Sequence, residues 1–190
     1  ECKLDLDSGF DTSGGVVISP LSTLLAEDPE LTEETLKTKL GIASDIDLLN
    51  YDPIEAAQTD SDPTAALQFK AVSTQISNLL DIGASTLSTA TGQEKVDVMA
   101  GVISSVVEKI KTQDAANIDF ADATFLANTI DEAATAVGAT ADQISAMSSV
   151  KTAATQKLEE LNDKIEQAVS NSDAALALSE MYKAAKVAQE

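Results

Sequence analysis

The chain of 190 residues contains no histidine, no arginine, no tryptophan and only one cysteine, Cys2. Without histidine, neither a Ser-His-Asp triad, nor a Cys-His pair, nor a histidine-ligated metal centre can form. A single cysteine excludes an internal disulfide. Aromatic residues make up only 3% of the chain, so the core has to be built from Ala, Leu, Ile and Val. Paired carboxylates are the one catalytic arrangement that this composition permits.

Positive charge is also scarce. The 12 basic residues are all lysine, and they face 32 carboxylates, which gives a formal charge of -20. Such a surface repels phosphate backbones and anionic lipid, so we predict neither nucleic-acid binding nor binding to a membrane surface. No run of 18 apolar residues is present, and we expect no membrane insertion. The composition fits a salt-rich, extracellular setting, although an ordinary acidic soluble protein has a similar one.

The beginning of the chain favours a module of a larger protein. It opens with Glu1 instead of Met and carries no signal-peptide pattern, so we expect a processed chain or an excised module.

Residues 1–19, "ECKLDLDSGFDTSGGVVIS", differ in texture from the rest and predict a β-like lead of strand, turn and short strand. Asp5, Asp7 and Asp11 are the candidate metal ligands within it. Counted from Asp5, the glycine comes one residue early for an EF-hand, and Val16 stands where the final carboxylate belongs. Two interpretations remain: a looser calcium site using the three aspartates, or a polar turn. We predict no resident cofactor other than calcium.

Short helices are predicted over residues 20–60. Ser19 is the predicted N-cap of the first, with Pro20 at its first position. Thr32 is the predicted cap of a second helix that Gly41 ends, and Asp52 with Pro53 opens a third. We read Asp45, Asp47, Asp60 and Asp62 as turn and N-cap aspartates, because each lies just before an apolar helical start.

Residues 61–190 have the pattern of a helical bundle. Apolar side chains recur every three or four residues, with predicted helix starts at Asp62, Thr91, Asp119 and Thr140 and a last helix after residue 172. Short polar links favour antiparallel neighbours. The predicted fold is therefore all-α: an up-and-down bundle of four long helices, with the short-helix cap of residues 20–60 packed at one end and residues 20–190 forming one domain.

Three segments resemble a known group of proteins: "VVISPLSTLL", "LTEETLKTKLGI" and "DIDLLNYDPIEAAQ". They are similar to a pattern in very large, repetitive, secreted surface proteins of aquatic bacteria, in which a β-rich segment leads into a helical region. The matching residues are 16–25 and 40–53, within the first third of the chain. The resemblance implies a location outside the cell or at its surface and a structural or adhesive role, with protein partners such as neighbouring modules.

Two other functions stay open. The segment "TQKLEELNDKIEQAVSNSDAALALSEMYKAA" resembles in texture the helical subunits of secreted filaments, which makes a self-assembling subunit the first alternative. A carboxylate-based enzyme is the second. However, Glu159, Glu160, Asp163 and Glu166 fit the solvated face of their helix, so we predict a non-catalytic structural or interaction module and no catalytic residues.

Overall fold

The computed structural model describes residues 18–114, 117–171 and 173–189. Within these ranges the chain is all-α and contains no strand, which confirms the predicted fold class. The helices are α1 Pro20–Glu27, α2 Glu33–Leu40, α3 Pro53–Thr59, α4 Thr64–Thr91, α5 Lys95–Thr112, α6 Ala123–Ala136, α7 Ala141–Ala146, α8 Ser148–Val169 and α9 Ala174–Ala188. The predicted β-like lead lies outside the described residues apart from positions 18 and 19, which are irregular.

Local signals account for the ends of the short helices. Ser19 and Ser22 form a reciprocal capping box at the start of α1. The Thr32 hydroxyl accepts the N–H of Thr35, and α2 ends at Gly41, whose φ of 66° lies in the left-handed region that glycine adopts without strain. These starts and stops are where the sequence predicts them.

Two predicted caps of the longer helices were wrong. Thr91 belongs to the last turn of α4, where its hydroxyl donates to the carbonyl of Leu87, and Gly92 ends the helix at a φ of 73°. The N-cap of α5 is therefore Glu94. For α6 the cap is Asp122 and not Asp119, because the Asp122 carboxylate accepts the N–H of Phe125.

Neighbouring helices alternate in direction. Only residues 92–94 separate α4 from α5, and the two helices pack against each other, with Lys95 2.6 Å from Asp81, so α4 and α5 run antiparallel. Gln75 and Glu166 approach near one end of the α4–α8 pair, and Thr86 and Ala154 line a shared pocket nearer the other end. The direction of α8 is thus opposite to that of α4.

The remaining long helices continue this alternation. Lys109 of α5 lies 2.5 Å from Glu132 of α6, and Gly101 lies against Val137 just after α6, which makes this pair antiparallel. A short link joins α8 to α9, and the two helices pack together. The result is an up-and-down bundle. Where four long helices were expected, the described ranges contain five of 14 residues or more: α4, α5, α6, α8 and α9.

One apolar cluster runs through the cap and the bundle, from Leu21 in α1 to Ala188 in α9. Helix α1 packs on α4 and α5, and α3 packs on α4 and α9. Tyr51 contacts Phe69 edge to face, with ring centroids 5.2 Å apart. The predicted cap and bundle therefore contribute to the same core.

The buried face of α9 differs from the predicted one. The sequence pattern placed Ala175, Leu178, Tyr182 and Ala185 inward, but Tyr182 is 71% exposed. The buried row is Ala177, Met181, Ala184 and Ala188. The three alanines of this row suit a helix that packs closely against both α4 and α8.

Candidate functional site

The described residues form an open cleft of about 1020 Å³. It lies where the end of α2 and its following loop meet the first half of α4 and the last turn of α8. The walls combine apolar and polar side chains; those with hydrogen-bonding or charged groups are Lys37, Thr38, Asp62, Thr64, Gln68, Gln75, Asn117, Glu166 and Ser170.

A buried amide and a carboxyl group meet inside this cleft. Gln75, only 4% exposed, donates a hydrogen bond from Nε2 to Glu166 Oε1 at 3.0 Å. Partial burial raises the pKa of the Glu166 carboxyl above its ordinary value; the Gln75 hydrogen bond opposes this, and the charges of Asp119 and Asp163 add to it. A proton or a cationic group at Glu166 would relieve the repulsion between its carboxylate and those of Asp119 and Asp163.

One wall of the cleft depends on a close approach between α2 and the segment before α6. The N–H of Ile118 donates to the carbonyl of Lys39 at 2.8 Å. A Cβ at Gly41 would lie 2.6 Å from Asn117 Oδ1, so only glycine fits there without displacing Asn117. Both Gly41 and Asn117 have positive φ, at 66° and 65°. Gly41 therefore ends α2 and also allows Asn117 to lie close to it at the cleft.

The charged groups at the rim bond to residues close to them in the chain. Lys37 pairs with Glu33 at 2.7 Å and donates to the carbonyl of Ser44 at 3.2 Å. Hydrogen bonds from the Thr64 side chain and backbone lower the pKa of Asp62. Asp62 and Glu166 line one cleft, yet their pKa values shift in opposite directions, so the cleft does not present two carboxyl groups with raised proton affinity.

The candidate calcium ligands Asp5, Asp7 and Asp11 lie outside the described residues, as does Cys2. Within the part of the chain that the structure describes, no group of three or more Asp, Glu, Cys or His side chains could hold a metal ion.

The four aspartates assigned to turns and caps divide into two kinds. Asp47 accepts the N–H groups of Leu49 and Asn50, and Asp62 accepts that of Thr64. These two therefore have the expected local role. Asp45 lies in an exposed turn that the hydrogen bond from the Ile46 N–H to the Ala43 carbonyl closes, also as expected, whereas Asp60 occupies the C-terminal end of α3.

Sequence reasoning missed the contact between Gln75 and Glu166. Gln75 stands inside the apolar pattern of α4, between Val72 and Ile76, and a glutamine at such a place is the only signal that the pattern offered. Glu166 was assigned to the solvated face of α8, and it is exposed there, although its carboxyl group bonds to the buried Gln75. The two residues are 91 positions apart, so only the antiparallel packing of α4 and α8 brings them together.

No protein-family model, curated protein or solved structure matches this chain. Among the described helices, none is both long and apolar enough to cross a membrane.

Proposed function

We propose that the chain is a non-catalytic structural or interaction module of an extracellular bacterial surface protein, in which it spaces, anchors or joins neighbouring modules. The observation that carries this proposal is the apolar cluster that, among the described residues, runs without a break from α1 to α9. Because the short helices and the bundle share one core, a load applied to one part is transmitted to the other without an intervening linker.

Contacts between distant parts of the chain support a mechanical role. Lys111, near the end of α5, lies 2.7 Å from Asp28 and 3.2 Å from Glu30 in the link after α1. The Lys111 ammonium lowers the pKa of Asp28, and Asp28 raises that of Lys111. Lys151 of α8 holds Asp131 of α6 at 2.7 Å. These pairs connect the cap to α5 and α8 to α6 near the protein surface.

The charge of -20 also suits this role. Dense carboxylates stay hydrated, and in a salt-rich medium counterions screen their mutual repulsion. Calcium is the ion that a loop containing Asp5, Asp7 and Asp11 would take, because it accepts six to eight oxygen ligands in irregular geometry. Protein neighbours, and not nucleic acid or membrane, are the partners in this proposal.

The first alternative, a self-assembling filament subunit, is favoured by apolar side chains left exposed on different helices. Ile54 of α3 is 47% exposed and Val150 of α8 is 42% exposed. A filament needs complementary surfaces on two different faces, so that each subunit adds to the last without closing.

Light scattering in millimolar calcium and again after chelation separates the two functions. A discrete mass that does not grow in calcium is the result expected for a module. Assemblies that grow with calcium would overturn the proposal in favour of the filament subunit. A variant with Asp5→Asn, Asp7→Asn and Asp11→Asn is the matched control, since it should abolish calcium-dependent growth if those aspartates bind the ion.

A further inference from the structure

A straight row of four side chains runs along one exposed flank of α9. Leu176, Glu180, Lys183 and Val187 follow one another at spacings of four, three and four, which places them on one line of an α-helix. The Glu180 and Lys183 side chains are 47% and 64% exposed and pair with each other at 2.6 Å. We call these four residues the α9 seam.

The seam lies in a part of the molecule whose positive and negative charges nearly balance. Residues 148–189 carry six carboxylates and five lysines, whereas residues 18–60 carry ten carboxylates and two lysines. Two copies that met through their short helices would bring two strongly negative surfaces together. Contact through α9 largely avoids that repulsion.

The order of residues in the seam is complementary to itself. If two copies of α9 lie antiparallel, Leu176 of one chain is opposite Val187 of the other, and Glu180 is opposite Lys183. Each apolar end then meets an apolar end, and each charge in the centre meets the opposite charge. This match occurs twice in one contact, as a two-fold axis requires.

We propose that the α9 seam is a two-fold self-association surface whose occupant is the seam of a second copy of this chain. The contact is closed, so it yields dimers and not filaments, and in a multi-module protein it would join two chains side by side. A helix of 15 residues is about 22 Å long. A contact of that length is small for a stable dimer, so the dimer should dissociate on dilution.

Exchange of the charges at positions 180 and 183 tests the proposed pairing between the two copies of α9. Sedimentation velocity over a range of concentrations should show a reversible monomer–dimer equilibrium for the unaltered chain. Glu180→Lys places like charges across the axis, as does Lys183→Glu, and each should raise the dimer dissociation constant about tenfold or more. An equimolar mixture of the two variants should dimerise again, because both cross-axis pairs are then of opposite charge. The double variant E180K/K183E should dimerise for the same reason.

A second comparison uses apolar residues of the same helix. Val187→Glu should weaken the dimer, whereas Tyr182→Glu, with the same charge change on a different side of α9, should leave it unchanged. Circular dichroism checks that every variant keeps its helices. A chain that stays monomeric at all concentrations would overturn the inference, as would a mixture that fails to restore the dimer or a Tyr182→Glu variant as weak as Val187→Glu. The proposed module function does not depend on this surface, and a monomer would leave it standing.

Discussion

The short helices of residues 18–60 and the long helix α8 are stabilised in different ways. Each short helix begins at a residue whose side chain accepts a backbone N–H: Ser19, Thr32 and Asp52. Helix α8 has no side-chain cap and follows directly from the buried Met147. What defines α8 is its row of buried side chains against α4, α6 and α9. Local signals therefore set the short helices, and tertiary packing sets the long one.

The carboxylates of the two regions also differ in the hydrogen bonds that they make. In residues 18–60, carboxylates of Asp28, Asp47 and Asp52 accept backbone N–H groups within a few residues of their own position. Hydrogen bonds from Asn50 and from Leu49 lower the pKa of Asp47. On α8, Glu166 instead bonds to a side chain of a distant helix. The acidic region thus uses its carboxylates for local caps and turns, with Asp28 also reaching Lys111 of α5, whereas Glu166 of α8 makes a tertiary contact without a local backbone role.

The largest expected loss of stability follows from truncating a buried side chain of α8. Leu158 is completely buried, so Leu158→Ala should lower the free energy of unfolding by about 2 to 5 kcal/mol, through lost apolar burial and the cavity left behind. Urea denaturation followed by circular dichroism measures the change. Val96→Ala, at a position of α5 that is 74% exposed, is the control and should change the value by less than about 0.5 kcal/mol. A loss below about 1 kcal/mol at Leu158 would contradict a packing-determined α8.

Removal of a buried hydrogen bond should cause the second largest loss of stability. Asn162 is fully buried in α8 and donates from Nδ2 to the carbonyl of Phe120 at 2.6 Å. Asn162→Ala leaves that carbonyl without its donor and should cost about 1 to 3 kcal/mol. The same denaturation measurement applies, with the exposed Asn128→Ala as the matched change. Equal stability of the two variants would show that the contact with Phe120 contributes nothing.

In the short helices, the cap should be the sensitive point. Asp52 accepts the N–H groups of Ile54 and Glu55 at 2.8 and 3.1 Å, and Asp52→Ala should cost about 1 kcal/mol. Thermal or urea unfolding checks this. Asp45→Ala removes an exposed carboxylate from the same region and should have almost no effect. If the two variants were equally stable, the claim that local caps set these helices would be wrong.

The smallest expected effect is the contribution of Glu166 to the pH dependence of stability. The folded-state pKa of Glu166 lies above its ordinary value of 4.5, so the folded chain binds this proton more tightly than the unfolded chain does. Stability from this group is present at low pH and is lost as the pH rises from about 4.5 through the folded pKa. Glu166→Gln removes the loss, so its stability relative to the unaltered chain should be greater at pH 7 than at pH 4, by about 0.5 kcal/mol or less because solvent screens the group.

Unfolding midpoints across this pH range measure the effect, with Glu160→Gln on the same helix as the control. The prediction fails if the advantage of Glu166→Gln is independent of pH, or if it grows as the pH falls.

Sequence reasoning succeeded where a structure depends on neighbouring residues. The capping box of Thr140 and Gln143 is present at the start of α7, and both hydrogen bonds form. It failed at Thr91, where a similar Thr-x-x-Glu spacing competes with a glycine directly after the threonine. The glycine ends α4 first, and the threonine bonds back to its own helix.

The cleft could not be predicted for a different reason. Gly41, Gln75, Asn117 and Glu166 come from four separate parts of the chain. No periodicity along the sequence relates them, because their proximity follows from the packing of α4 against α8 and from the contact between the end of α2 and the segment before α6.

The sequence by itself determined the all-α class, the acidic surface and the ends of the short helices, because these depend on composition and on contacts between residues a few positions apart. Only the tertiary structure decided which face of α9 is buried. Two rows of similar hydrophobicity run along that helix, and the row of Ala177, Met181, Ala184 and Ala188 fits between α4 and α8. The choice depends on the shape of the neighbouring helices, and it leaves the α9 seam exposed.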